Sequence, residues 1–145
     1  MRLILILFAL FIFGCNKDSN SIDIGVDISR SELLFQHNRQ RMINGDLHTL
    51  SRDPFLEDRA QKWAEVMAQR NSLTHSRLEI NDTKFFMLGE NIAKGYEDIE
   101  TVVDGWMNSP GHRRNILNPK YNKAGFGYAK MTNGSPYWCA QFGGD

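Results

Sequence analysis

Four histidines, one carboxylate in a glycine-flanked setting and one strand cysteine are the side chains of this chain that could do chemistry. Most histidines sit on surfaces or are satisfied by a single hydrogen bond, and His48, in the loop after the first helix, reads that way. His37 stands one helical turn before Arg41, where its ring would organise a helix face. His75 and His112 are set differently. His75 falls in Leu73-Thr74-His75-Ser76, where a long amphipathic helix must end, and His112 is the third residue after a serine cap at 109. A helix N-terminus disfavours imidazolium, so His112 is expected to be neutral, able to accept a proton or coordinate a metal. Glu90 lies between Gly89 and Asn91 in what reads as a short strand, which makes it more than a solvated charge. Cys139, between Trp138 and Ala140, reads as a packed thiol rather than the nucleophile of a thiol protease. No His-Glu-x-x-His helix and no Gly-x-Ser-x-Gly elbow is present.

The elements that must hold these groups follow from caps and periodicity. Ser29-Arg30-Ser31-Glu32 has capping-box spacing and predicts a helix from there to about Asn44-Gly45. Asp53-Pro54 opens a second helix, because aspartate caps well and proline's fixed φ suits the first helical position. Leu56, Ala60, Trp63, Ala64, Met67 and Ala68 then recur at spacings of three and four, which makes one apolar face. Residues 97–108 repeat that period through Ile99, Val102, Val103, Trp106 and Met107. Glu97 and Asp98 suit its positive end, and Ser109-Pro110 begins a short helix that Asn118-Pro119 stops.

Beyond residue 122 the period changes to two. Strands are predicted over 123–131 and 136–143, joined by Thr132-Asn133-Gly134-Ser135, where Asn-Gly supplies the positive φ values of a tight hairpin turn. Gly125 and Gly127 share one strand face, where missing side chains let a helix backbone come close. Trp138, Ala140 and Phe142 share one face of the partner strand, and Tyr137, Cys139 and Gln141 the other. Apolar groups on both faces imply helices above and below the sheet. A third short strand is placed through Glu90 to Ala93.

Four motifs in order carry a resemblance to a known family, over residues from about Glu32 to Gly144. His37-Asn38-Arg39-Gln40-Arg41, Thr74-His75-Ser76, Gly89-Glu90-Asn91-Ile92 and Gly111-His112-Arg113 resemble the motifs of the CAP superfamily of cysteine-rich secretory, antigen 5 and pathogenesis-related 1 proteins. The run from Trp106 to Leu117, with Ser109-Pro110-Gly111-His112 at its centre, is similar to the bacterial branch. The resemblance implies an α/β fold, a three-layer α-β-α sandwich with a small antiparallel sheet between helices. It also implies a cleft of two histidines and two acids, which in some relatives holds a divalent ion. This chain departs at the second acid. That residue would follow Trp106 by three positions, where Ser109 stands, and Asp104 is turned about 140° away from that position at 3.6 residues per turn. The carry-over therefore gives His75, Glu90 and His112 as metal ligands, for zinc or another divalent cation, with Asn91, Asn108 and Ser109 lining the cleft.

The first residues, Met1-Arg2, an apolar run from Leu3 to Phe13, then Gly14-Cys15, read as an export signal. The run is too short to span a bilayer, which needs about 20 residues. Ile12-Phe13-Gly14-Cys15 resembles the lipobox of bacterial lipoproteins, although Phe13 is bulkier than usual. The organisation expected is a signal peptide over 1–14, a lipid-anchored tether from Cys15 to residue 28 and a domain over 29–145. Such a protein is exported and held at the cell envelope, on the extracytoplasmic side of a membrane, by lipid on Cys15. A disulfide between Cys15 and Cys139, the only two cysteines, is the rival. A 13-residue coil spans about 20 Å root-mean-square.

The whole chain has 17 basic and 17 acidic side chains. Loss of Arg2 with the signal leaves it nearly neutral, and no basic face points to nucleic acid. Two functions compete. In one, the cleft binds a divalent metal and/or a small apolar ligand or lipid, with no defined catalysis. In the other, two histidines, a carboxylate and a water hold a catalytic zinc, and the chain is a metal-dependent hydrolase with Glu90 as base. The missing acid and the lack of a recognisable nucleophile favour binding.

Overall fold

The computed structural model describes residues 24–81, 83–131 and 134–145, with side chains from Ser29 onward. The expected export signal, Cys15 and the tether as far as residue 23 lie outside the described residues, as do Thr132 and Asn133 of the expected turn. No helix among the described residues is long and apolar enough to cross a membrane.

The elements run α1 (Ile24–Gly45), β1 (Ser51–Arg52), α2 (Pro54–Arg70), β2 (Met87–Lys94), α3 (Ile99–Met107), α4 (Pro110–Ile116), β3 (Lys123–Lys130) and β4 (Pro136–Gly144). Helix α1 starts at Ile24, five residues before the expected cap at Ser29, so the last residues assigned to the tether are helical. Serine is only mildly unfavourable inside a helix, and the Ser29–Glu32 spacing does not oblige the chain to begin there. The other caps follow the sequence. Asp53 Oδ1 accepts from the amides of Phe55 and Leu56 at 3.0 and 3.1 Å, Asp98 Oδ1 accepts from that of Thr101 at 2.8 Å, and Asn71 ends α2 in the left-handed region at φ 49°.

The sheet has the order β1-β3-β4-β2. β3, β4 and β2 are antiparallel as expected, but β1 pairs in parallel with β3, Ser51 opposite Lys123 and Arg52 opposite Ala124, so the sheet is mixed. Two residues are too few to show a period. β1 is held instead by side chains elsewhere: Asn38 of α1 donates to the Leu50 carbonyl at 3.0 Å and accepts from the Leu50 amide at 2.7 Å.

One face of the sheet packs against α2 through Ala60, Ala64, Met67, Ile92, Tyr137 and Cys139. The other face, with Phe126, Trp138, Ala140 and Phe142, packs against Leu33 of α1, Val102, Val103 and Trp106 of α3, and Ile116 of α4. Each such large side chain, fully buried, contributes about 1.5–3 kcal/mol of transfer free energy, which makes these two layers the main source of stability. The glycine-lined face does what its spacing predicted. A Cβ on Gly125 would lie 2.2 Å from backbone atoms of Leu56 and Glu57, and one on Gly127 would lie 2.3 Å from those of Ala60.

Candidate functional site

Edge strand β2 carries the candidate site, because its two faces and its open side meet three different segments. Glu90 lies on the α2 face of β2, directly opposite Gln141 of β4. The segment after α2 is tied back across that helix: Trp63 Nε1 donates to the Thr74 carbonyl at 2.8 Å, and Arg59 Nη2 to the Arg77 carbonyl at 3.3 Å. That tie brings His75 and Ser76 onto Glu90. From the other side, α4 is fastened to β2 by Asn115, whose Nδ2 donates to the Glu90 carbonyl at 3.1 Å and to Asn91 Oδ1 at 2.9 Å. Asn91 Nδ2 in turn donates to the His112 carbonyl at 3.0 Å. A cleft of about 500 Å³ results, lined by His75, Ser76, Glu90, His112, Arg114 and Asn115 among others.

The carboxylate of Glu90 is already fully engaged. Its Oε1 accepts from His75 Nδ1 at 2.8 Å and from the Ser76 amide at 2.9 Å. Its Oε2 accepts from Ser76 Oγ at 2.5 Å, Gln141 Nε2 at 3.0 Å and Cys139 Sγ at 3.7 Å. Only 2% of its side chain is exposed, against 60% for His75. The hydrogen bond to Glu90 engages the His75 ring at Nδ1 and leaves Nε2 for another partner. This is the arrangement in which a carboxylate sits behind a histidine and orients it.

The expected residues thus fall into different roles. His75 and His112 share the cleft. Glu90 stands behind His75, and among the described residues no group of three or more His, Cys, Asp or Glu side chains is arranged to hold a metal ion. A cation here would have two imidazoles as protein ligands rather than the expected three groups. Asn91 does not line the cleft: it is fully buried and positions α4. Asn108 and Ser109 are also outside the lining. The Asn108 amide donates to the Asp104 carbonyl at 2.9 Å, and Ser109 caps α4 through its backbone with no side-chain cap bond. His112 is shifted down as expected, but burial is the chief cause and the neighbouring His75 the second. Burial, reinforced by the charge of Glu90, pushes the Cys139 thiol well above its usual range, so it is a packed, protonated donor. Cys139 is a free cysteine, and its rival pairing involves Cys15, outside the described residues.

Ser76 has no role of its own in the sequence motifs, yet Ser76 and His75 both reach Glu90. Gln141 carried no motif, and only the β2–β4 register puts it across from Glu90. His37 and Arg41 are structural. The His37 ring is buried among Trp106, Phe126 and Phe142, with Nδ1 donating to the Leu33 carbonyl at 2.7 Å. Arg41 donates to the carbonyls of His48, Ile116, Asn118 and Tyr121.

A second, larger cavity of about 740 Å³ lies away from β2, where α1 and the start of α3 pass over β3. Leu33, Ile99, Phe126, Tyr128 and Trp138 give it an apolar lining, and Arg30 stands at its rim. Where the sequence led to a single cleft, the described residues form two separate concavities.

Comparison with known proteins places this geometry. The family model of the cysteine-rich secretory proteins, CAP, matches residues 34–142. YkwD of Bacillus subtilis is 56% identical over 54 residues, 37% of this chain and 20% of YkwD, so the match covers about a fifth of that relative's length. An outer surface protein of Borrelia burgdorferi superimposes with a TM-score of 0.72 at 26% identity, over 85% of this chain and 96% of that one. An extracellular SCP-domain protein from Bacillus anthracis has a TM-score of 0.68 at 23% identity, over 82% and 41%, a likeness of fold.

Proposed function

Since the chain belongs to the cysteine-rich secretory protein family, CAP, and its relatives include outer surface and extracellular proteins, we propose that it is an exported binding module, held at the cell envelope by lipid on Cys15, that takes a small apolar ligand or lipid and catalyses no defined reaction. The observation that carries this reading is the cavity of about 740 Å³ under α1 and α3. Its volume lies within the range of small-molecule sites, and an apolar lining with few polar groups is their usual character.

The direct test is titration of the full-length protein with the uncharged probe N-phenyl-1-naphthylamine. Wild type should enhance its fluorescence saturably, Ile99→Trp should block the cavity and remove the enhancement, and His75→Ala should leave it intact. Equal enhancement by wild type and Ile99→Trp would place the probe elsewhere and end the reading. Anchoring is tested by intact mass: a mature protein without added acyl chains rules out lipid on Cys15.

A divalent cation at the other cleft is a second reading, favoured by the Glu90 bond that engages His75 at Nδ1 and leaves Nε2 for another partner. His75 and His112 would hold the ion, and water would complete its shell. Zinc titration should raise the unfolding free energy through linkage, by about 2.7 kcal/mol at a hundredfold excess over Kd, and His75→Ala and His112→Ala should each remove the gain. Identical responses from all three proteins would dismiss the ion. Glu90 as the base of a hydrolase finds no support in its geometry, because five donors already occupy its oxygens.

A further inference from the structure

We propose that the outward face of α1 is the side on which the domain lies against a phospholipid bilayer, with Phe35, Met42 and Ile43 entering the interface and Arg39 meeting lipid phosphates. The proposal rests on the reading of lipid on Cys15 and goes beyond it by assigning the surface that faces the membrane.

Helix α1 is pinned to the core along one side by Leu33, His37 and Arg41, spaced by four and at most 3% exposed. Phe35, Arg39, Met42 and Ile43 stand at i, i+4, i+7 and i+8. At 3.6 residues per turn they share an arc of about 100° turned away from that side. Phe35 is 60% exposed, Met42 62% and Ile43 60%. Nine large apolar side chains are exposed among the described residues, and three of them fall on these two turns. Scattered exposed apolar residues need no explanation, whereas three on one helix face form a patch. They line neither concavity.

Arg39 lies inside that arc, is exposed, and makes no hydrogen bond or ion pair among the described residues. Its planar fork is therefore open to phosphate oxygens. An apolar face that carries a basic side chain is the composition of a helix lying in the plane of a membrane interface. Glu32 and Asp46, three residues beyond either end of the stripe, are exposed and confine the contact to the turns between them.

The N-terminal chain outside the described residues favours a bilayer over a protein partner. It runs to residue 23, and α1 opens at Ile24, the ninth residue after Cys15. Nine residues reach at most about 30 Å when fully extended, so α1 is the first element after the acyl chains and starts within that distance of them. Anchoring makes docking intramolecular. Three apolar side chains make too small a patch for a stable protein interface, but on an anchored domain they are enough to set its orientation.

The experiment uses the full-length protein, purified from membranes and reconstituted into phosphatidylethanolamine–phosphatidylglycerol vesicles. The polarity-sensitive fluorophore NBD is attached to Met42→Cys or, on the exposed side of α2, to Gln69→Cys; Cys139 is buried. Phospholipids spin-labelled near the ester end of their acyl chains should quench the probe at 42 about twofold or more, as an apolar face sunk into the headgroup boundary requires, and leave the probe at 69 unchanged. Adding Phe35→Ser and Ile43→Ser to Met42→Cys should abolish the quenching while the protein still floats with the vesicles. Matching far-ultraviolet dichroism confirms that the variants are folded. Equal quenching at 42 and 69 in protein whose intact mass includes acyl chains would overturn the assigned face and leave the anchor standing. Ready disulfide formation between two Met42→Cys chains, in place of quenching, would give the face to a second copy and overturn the proposal as well. An intact mass without acyl chains would remove the anchor and this inference together.

Discussion

Gln141 stands directly across the β2–β4 ladder from Glu90 and donates to it from Nε2 at 3.0 Å, so two buried polar side chains on facing strands share one hydrogen bond beneath the cleft. Glu90→Ala would strand five donors at once. A buried polar network that loses its central acceptor leaves each donor desolvated and unpaired, and the expected loss is about 3 kcal/mol or more. Gln141→Leu removes only one donor and should cost about 1–2 kcal/mol. Urea unfolding measures both. A Glu90→Ala midpoint equal to that of wild type would mean that the carboxylate does not hold the site together.

His37 sets a pH dependence. Burial holds its pKa down to about 4, the Leu33 carbonyl offsets this in part, and the charge of Arg41 adds to the lowering. The unfolded ring titrates near 6.5. Between those values the unfolded chain binds more protons than the folded one, so stability rises with pH. It is lost as pH falls from about 6.5 to about 4, by about 3 kcal/mol in total. Above 6.5 the residue adds no slope. Unfolding free energies measured across that window should show the slope in wild type and a flatter profile in His37→Gln; parallel profiles would refute the assignment.

Arg41 ties α1 to the chain just before β1, to the end of α4 and to the segment after it by donating to four carbonyls, three of them at 2.8 Å. Arg41→Met, close in length, would take the guanidinium from all four carbonyls and is expected to cost about 3 kcal/mol or more. Arg41→Lys keeps the charge but lacks the fork, and should recover about half of the loss. Thermal melts of the three proteins give the ranking, and Lys falling below Met would contradict it.

Two glycine substitutions should part ways. Gly127→Ala places a methyl 2.3 Å from the Ala60 backbone, which forces α2 off the sheet, so the soluble protein should be lost or destabilised by about 3 kcal/mol. Gly111→Ala, in α4, meets nothing nearer than Arg114 Nη2 at 3.8 Å. It should stabilise by up to about 1 kcal/mol, because alanine restricts the unfolded chain. Similar melting temperatures for both variants would show that the close approach of α2 is not rigid.

Much of the fold is legible along the chain, because the signals are local. Proline after Asp53 and after Ser109, the three-and-four spacing through Ala60 and Ala64, and the alternation from Tyr137 to Phe142 each report the conformation of their own segment. Gly125 and Gly127 even disclose which strand a helix must touch. The start of α1 is not legible, since Ser29 marks a permissible cap rather than an obligatory one, and β1 is too short to carry a period. The histidine motif in α1 reads as structural along the chain and is structural in the fold: His37 Nδ1 and the polar atoms of Asn38 and Arg41 go to backbone, while His37 Nε2 is buried without a partner among the described residues.

The sequence by itself determined which groups are candidates, His75, Glu90 and His112, and roughly which elements carry them, because residue type and period are properties of short stretches. Only the tertiary structure decided what those groups do. Whether Glu90 faces a ligand or stands behind His75 depends on strand register, on the Trp63 tie to Thr74 and on the partners that reach its oxygens, Ser76, Gln141 and Cys139. Likewise, a cavity between α1, α3 and β3 is a property of helices packed on a sheet, and no single segment encodes it. Hydrogen bonding and excluded volume act across space, so residues from opposite ends of the chain settle each other's roles only once it has folded.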